Sequence, residues 1–161
     1  MSARRFRILP LAVLGALLVG QVALAEVTLT TRVERVVGAD PGSASAASLE
    51  PVTDVLPGDV VRYTIVFQNA SAQDVAAGSV VITNPLPEGT VYLDGTATGA
   101  STQITFSVDG DTFADPGALT VSDATGTRRA TAADYRSIRW AYGPRLPAGA
   151  SGEVSFDVRM R

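Results

Sequence analysis

Three carboxylates, Asp109, Asp111 and Asp115, fall within seven residues in the stretch "DGDTFADPG". Calcium, a hard cation, takes its ligands from oxygen-rich loops of this kind. Asp109, Asp111 and Asp115 are therefore a candidate calcium loop. The stretch lacks the Gly at the sixth place and the Glu at the twelfth that an EF-hand needs. The competing reading is a hairpin turn in which Asp and Gly serve the backbone. Tyr63, Phe67, Trp140 and Tyr142 could stack against a sugar ring. Trp140 is in phase with Ile138, however, which favours a core position. Arg128, Arg129, Arg136, Arg139 and Arg145 could hold a carboxylated polysaccharide or an acidic partner. As solvated surface in loose ion pairs they would contribute little. Asn69-Ala70-Ser71 matches the N-glycosylation pattern. It also fits an asparagine that ends a strand and bonds the following turn.

Three absences limit the chemistry further. With no cysteine, the chain has no disulfide, thiol nucleophile or thiolate metal site. Histidine, the commonest general base and zinc ligand, is also missing. All 13 basic residues are arginine. The lack of lysine excludes Schiff-base chemistry and a Lys–Asn or Lys–Asp isopeptide crosslink. Serines remain, but nothing is present to activate one. A carboxylate pair could serve a glycosidase, yet nothing singles out two Asp or Glu residues. The expectation is a protein that is not an enzyme and carries no cofactor, calcium being the one candidate.

The chain opens with Arg4, Arg5 and Arg7, continues through the apolar run Ile8–Val19, and reaches Ala23-Leu24-Ala25. A basic start, a short apolar core and an A-x-A end read as a secretory signal peptide over residues 1–25, the competing reading being an uncleaved anchor. The apolar run is short of the ~20 residues that span a bilayer. The expected location is periplasmic or extracellular, with no membrane span after cleavage. Taking 25 residues from 161 leaves 136, enough for one domain with a core of its own. The leader holds three of the 13 arginines and none of the 16 acidic residues, so 10 arginines face 16 acids at a net charge of −6. That balance argues against nucleic acid and anionic membranes as partners.

The elements that must position these residues read as strands. Glu26–Val37 alternates and is rich in Val and Thr, and Gly38–Ser48 is a small, polar linker. Pro57-Gly58 turns into a run with Val61, Tyr63, Ile65 and Phe67 on one face. Further strands are expected at 78–83, 90–93, 102–108, 115–122 and 135–142, and Asp123–Ala130 reads as a loop. Two prolines, Pro85 and Pro87, stop the strand at 78–83. In the closing "EVSFDVRMR", Val154, Phe156, Val158 and Met160 face in, and Glu153, Ser155, Asp157 and Arg159 face out. No segment after the leader shows a helical period. The expected fold is all-β, an immunoglobulin-like antiparallel β-sandwich of about seven to nine strands. The expected domains are the leader 1–25, an N-terminal strand and flexible linker 26–48, and the sandwich 49–161.

Several short motifs occur in a definite order: Leu56-Pro57-Gly58-Asp59, Tyr63-Thr64-Ile65, Asn69, Leu86-Pro87-Glu88-Gly89, Trp140, and Ala148-Gly149 through Phe156 and Val158. The set resembles domain of unknown function 11, the conserved repeat domain of secreted prokaryotic surface proteins, over residues 50–161. The resemblance implies an immunoglobulin-like sandwich used as a module of envelope or extracellular proteins. The family's modules usually occur within large proteins, whereas this sequence holds one copy. The expected function is a non-catalytic, exported structural or protein-interaction module of the cell envelope or extracellular space. The alternative is a carbohydrate- or calcium-binding module. Partners would be a protein, a cell-surface polymer or a second copy, met through exposed strand edges. The terminal segments 26–37 and 153–161 are the expected edges, with 26–37 free to be donated to a neighbour.

Overall fold

Alternation in Val60–Asn69 turns Val61, Ile65 and Phe67 to one side, and all three are buried. The same period buries Val154, Phe156 and Val158 in Ser151–Met160. A computed structural model describes residues 26–38, 48–124 and 126–161. The expected leader and most of the expected linker lie outside them. Among the described residues the chain forms eleven strands: β1 Val27–Val37, β2 Ser48–Pro51, β3 Val60–Asn69, β4 Val80–Pro85, β5 Thr90–Tyr92, β6 Thr98–Gly99, β7 Thr102–Ser107, β8 Thr120–Asp123, β9 Gly126–Arg129, β10 Ser137–Tyr142 and β11 Ser151–Met160. Two short 3₁₀ turns, Pro116–Ala118 and Ala132–Asp134, are the only helical geometry among these residues.

All pairings are antiparallel. The largest sheet runs β2-β1-β3-β11-β5, with β6 also pairing β11. A second sheet runs β4-β10-β7, and β8 with β9 forms a hairpin. Residues from the two larger sheets share one apolar cluster. Trp140 of β10 lies 5.9 Å from Phe156 of β11, and Phe67 of β3 meets Tyr142 of β10 edge-on at 5.2 Å.

Several local expectations change in the fold. β1 pairs with β3 from Val27↔Asn69 to Arg35↔Val61, so it belongs to the same sheet as the strands after residue 49. β4 runs on through Pro85, which an edge strand accepts because its outward N–H is not needed. Gly126–Arg129, read as loop, pairs with β8, since Asp123 and Gly126 bracket a tight connection. Asp157, assigned to the outer face, is 5% exposed: Arg62 stands opposite it and bonds both carboxylate oxygens, and Leu93 and Thr96 after β5 bond its main chain.

Pro57-Gly58-Asp59 is a turn that aims β3. Gly58 sits at φ 94°, a left-handed value that glycine adopts readily. Asp59 Oδ2 accepts the Leu56 N–H at 2.9 Å, and the Asp59 N–H donates to the Leu56 carbonyl at 3.0 Å.

Gly152 allows a close approach of a different kind. It stands opposite Phe67, and a Cβ there would lie 2.4 Å from Phe67 Cζ. Phe67 is itself held by Tyr142. Gly152→Ala should therefore cost about 1–3 kcal/mol through overpacking, read as a lower urea midpoint. A change within ~0.5 kcal/mol, the usual range for an innocuous surface substitution, would show that the ring has room to move.

Candidate functional site

Asp109 spends its carboxylate on its own turn. Its Oδ1 accepts the Ser107 hydroxyl at 2.8 Å, the Asp111 N–H at 2.9 Å and the Thr112 N–H at 2.8 Å. Ser107 Oγ, fully buried, accepts the Gly110 N–H at 2.8 Å. Those main-chain donors, then the Ser107 hydroxyl, hold the Asp109 carboxyl well below the usual carboxylate range. Asp111 and Asp115 are exposed, and Asp115 precedes the 3₁₀ turn at 116–118. Among the described residues no three Asp or Glu side chains come together as a group able to hold a metal ion. The stretch is a turn braced by Asp109, and the structure does not gather its three carboxylates.

A depressed carboxyl stabilises the fold above its unfolded-state pKa and loses that contribution as pH falls toward the folded value. With an unfolded value of ~3.9, the loss from Asp109 falls below about pH 4. An asparagine side chain in its place can still accept the turn's N–H bonds but does not titrate. The gap in urea midpoint between the wild type and Asp109→Asn should therefore narrow between neutral pH and roughly pH 2.5. A gap independent of pH would contradict the role given to Asp109.

The aromatic residues do not form an exposed platform. Trp140 is completely buried, and its Nε1 donates to the Thr98 carbonyl at 3.1 Å. Tyr63 stacks on Phe156 at 5.1 Å and 10°, and Phe67 is 1% exposed. The arginines of the late cluster are divided among separate contacts. Arg128 grips Asp134 through two bonds of 2.7 and 2.8 Å. That guanidinium, with the Thr131 N–H and hydroxyl, holds the Asp134 carboxyl well below its ordinary value. Arg139 lies 3.6 Å over the Phe113 ring, and Arg145 pairs with Asp74 at 3.0 Å. Arg136 lines an open cleft of about 560 Å³ together with Glu88, Asp134, Tyr135 and Arg161.

Asn69 cannot present its amide to a glycosylating enzyme, because the residue is fully buried. Its Nδ2 donates to the carbonyls of Gln73 at 2.7 Å and of Leu146 and Pro147 at 3.1 Å. Its Oδ1 accepts the Ser71 N–H and hydroxyl. The sequon is thus a knot joining the end of β3 to the loop before β11.

Sequence reasoning missed the Arg62–Asp157 pair. Arg62 Nε and Nη2 reach the two Asp157 oxygens at 2.7 and 2.8 Å across β3 and β11. Only the opposite charges on two predicted strands hinted at it, and their register was not readable.

The strand edges differ in how far they are paired. The segment 153–161 is not an edge: β11 has β3 on one side and β5 and β6 on the other. β1 has β3 on one side, and β2 covers only Glu34–Val37 on the other. From Val27 to Val33 no strand of the described residues pairs with that second edge. Residues 28–33 are exposed, Leu29 at 56% and Val33 at 37%. Chemically, such an edge offers a row of main-chain donors and acceptors to an incoming strand. Among the described residues no helix is long and apolar enough to cross a membrane. In comparisons with known proteins, no protein-family model, no curated protein and no solved structure matches this chain.

Proposed function

We propose that the chain is a non-catalytic, exported interaction module of the cell envelope or extracellular space, built as an immunoglobulin-like β-sandwich. Support for the sandwich comes from the apolar cluster shared by the six- and three-stranded sheets and from the order of motifs that resembles the conserved repeat domain. The observation that carries the function is the open edge of β1 from Val27 to Val33. A partner strand would gain affinity from main-chain bonds there and specificity from alternate side chains such as Leu29 and Val33.

Amide hydrogen exchange of the purified protein, dilute and concentrated, and with and without isolated cell-envelope fragments, tests this reading. The amides of Val27, Leu29, Thr31 and Val33 should gain protection when the partner docks. A thermal shift with calcium or glycans, with those amides still exchanging freely, would point to the Asp109 turn or the cleft beside Arg136 and overturn it.

A further inference from the structure

We propose that the partner of the β1 edge is a second copy of this chain, paired β1 to β1 in antiparallel register about a two-fold axis at Leu29. The inference rests on the interaction-module reading and names its occupant.

Successive residues of a strand turn their main-chain groups to opposite sides. The Glu26 carbonyl accepts the Ala70 N–H at 2.8 Å, so the even-numbered residues of β1 face β3. The odd-numbered residues face away. At Arg35 and Val37 that side meets β2, opposite Glu50 and Ser48. Val27, Leu29, Thr31 and Val33 therefore turn N–H and C=O to the open edge. Edges of this kind are normally blunted by Pro, charged side chains or a bulge. The segment "VTLTTRV" has no Pro and a single charge, Arg32, near its end, and its register with β3 runs without a break.

An antiparallel copy must set odd residues against odd ones, which leaves few self-registers. Centring on Thr31 sets Val27 against the second copy's Arg35, where β2 already lies. Centring on Thr30 sets Glu26 against the second copy's Glu34, a like-charge pair that opposes association. Centring on Leu29 avoids both problems. Val27 then pairs with the second copy's Thr31 and Leu29 with its Leu29, each pair exchanging two main-chain bonds. Thr28 meets Thr30, and Glu26 meets Arg32, once on each side of the axis. The pairing stops at Arg32, short of Glu34 where β2 begins. Arg32 has only a loose contact in the isolated chain, 4.0 Å to Glu153 with both side chains exposed, so it is free to be re-paired. Charge, edge length and the exposed leucine agree on one register.

The test uses protein purified after expression of the full chain. Sedimentation equilibrium should show a reversible monomer–dimer equilibrium. Arg32→Glu should weaken it by roughly tenfold, since like charges then face each other on both sides of the axis. Glu26→Arg combined with Arg32→Glu should restore it. Leu29→Pro removes a donor that faces only the open edge and should give a folded monomer. The chain has no cysteine of its own, so Leu29→Cys adds a single thiol. Mild oxidation should link it to its copy, because hydrogen-bonded antiparallel pairs place Cα atoms about 5.5 Å apart, within disulfide reach. Thr31→Cys should stay unlinked. A monomer at all concentrations up to the order of 1 mM, the weak end of specific association, overturns the proposal. So does a dimer indifferent to these substitutions, or one that crosslinks through Thr31→Cys alone. Protection of the β1 amides by envelope fragments in a protein that stays monomeric would leave the interaction-module reading standing and sink only the second copy. No protection under either condition would sink both.

Discussion

Trp140→Ala should lower stability by about 3–5 kcal/mol, the range for emptying a buried aromatic site. In a chain of this size that corresponds to a fall in melting temperature of roughly 10–20 °C. Trp140 is completely buried between β10 and β11, with Phe156 5.9 Å away and Ile104 and Ile82 beside it in register. Its indole N–H also holds the Thr98 carbonyl, which ties β10 to the short strand β6 on the other sheet. Alanine removes the ring and the bond together. Trp140→Phe keeps most of the volume and should lose about 1–2 kcal/mol, much of it the hydrogen bond. Urea unfolding followed by circular dichroism measures both, since Trp140 is the single tryptophan and its fluorescence goes with it. An alanine variant within ~1 kcal/mol of wild type would mean that the two sheets do not close over this side chain.

Asn69→Ala should cost about 2–4 kcal/mol, because five hydrogen bonds converge on one buried amide and the Ser71 N–H loses its acceptor. Asn69→Asp is the sharper variant. An aspartate can still accept from Ser71, but when ionised it turns a negative oxygen toward the carbonyls of Gln73, Leu146 and Pro147. Repulsion and burial would raise its folded-state pKa above the unfolded ~3.9. Its penalty is then small below about pH 4 and grows as pH rises to the folded value. The Asn69→Asp variant should thus move closer in stability to wild type as pH falls. That is the opposite of the acid-side loss expected from Asp109. A difference from wild type that is flat or widens on acidification would show that Nδ2 is not the donor that matters.

Much of the strand content was legible because side-chain alternation is a local property. Val61, Ile65 and Phe67 needed no partner to reveal their shared face, nor did Val154, Phe156 and Val158. Trp140 was legible as core from its phase with Ile138. Short elements were not legible: β2, β6 and β9 hold four residues or fewer, too short for a period to show. Of the candidate sites, the sequence marked Asp109 by composition, but composition cannot tell a metal ligand from a turn brace. The difference lies in where three donors point, and the N–H groups of Asp111 and Thr112 point at Asp109 itself.

The sequence by itself determined that this chain lacks cysteine, histidine and lysine chemistry, that its elements are strands, and which faces are apolar. Each of those follows from residue type or from a period of two along one segment. Only the tertiary structure decided which strands are edges. β3 takes β1 on one side and β11 on the other, although Arg62 and Asp157 stand 95 residues apart. That pairing buries Asp157, β5 and β6 on the other side of β11 keep the last strand off the sheet edge, and Val27–Val33 is left open. Main-chain hydrogen bonds are the same for every residue except proline and so carry little mark in the sequence. Sheet order therefore emerges from how the whole set of apolar faces packs, and the open edge of β1 emerges with it.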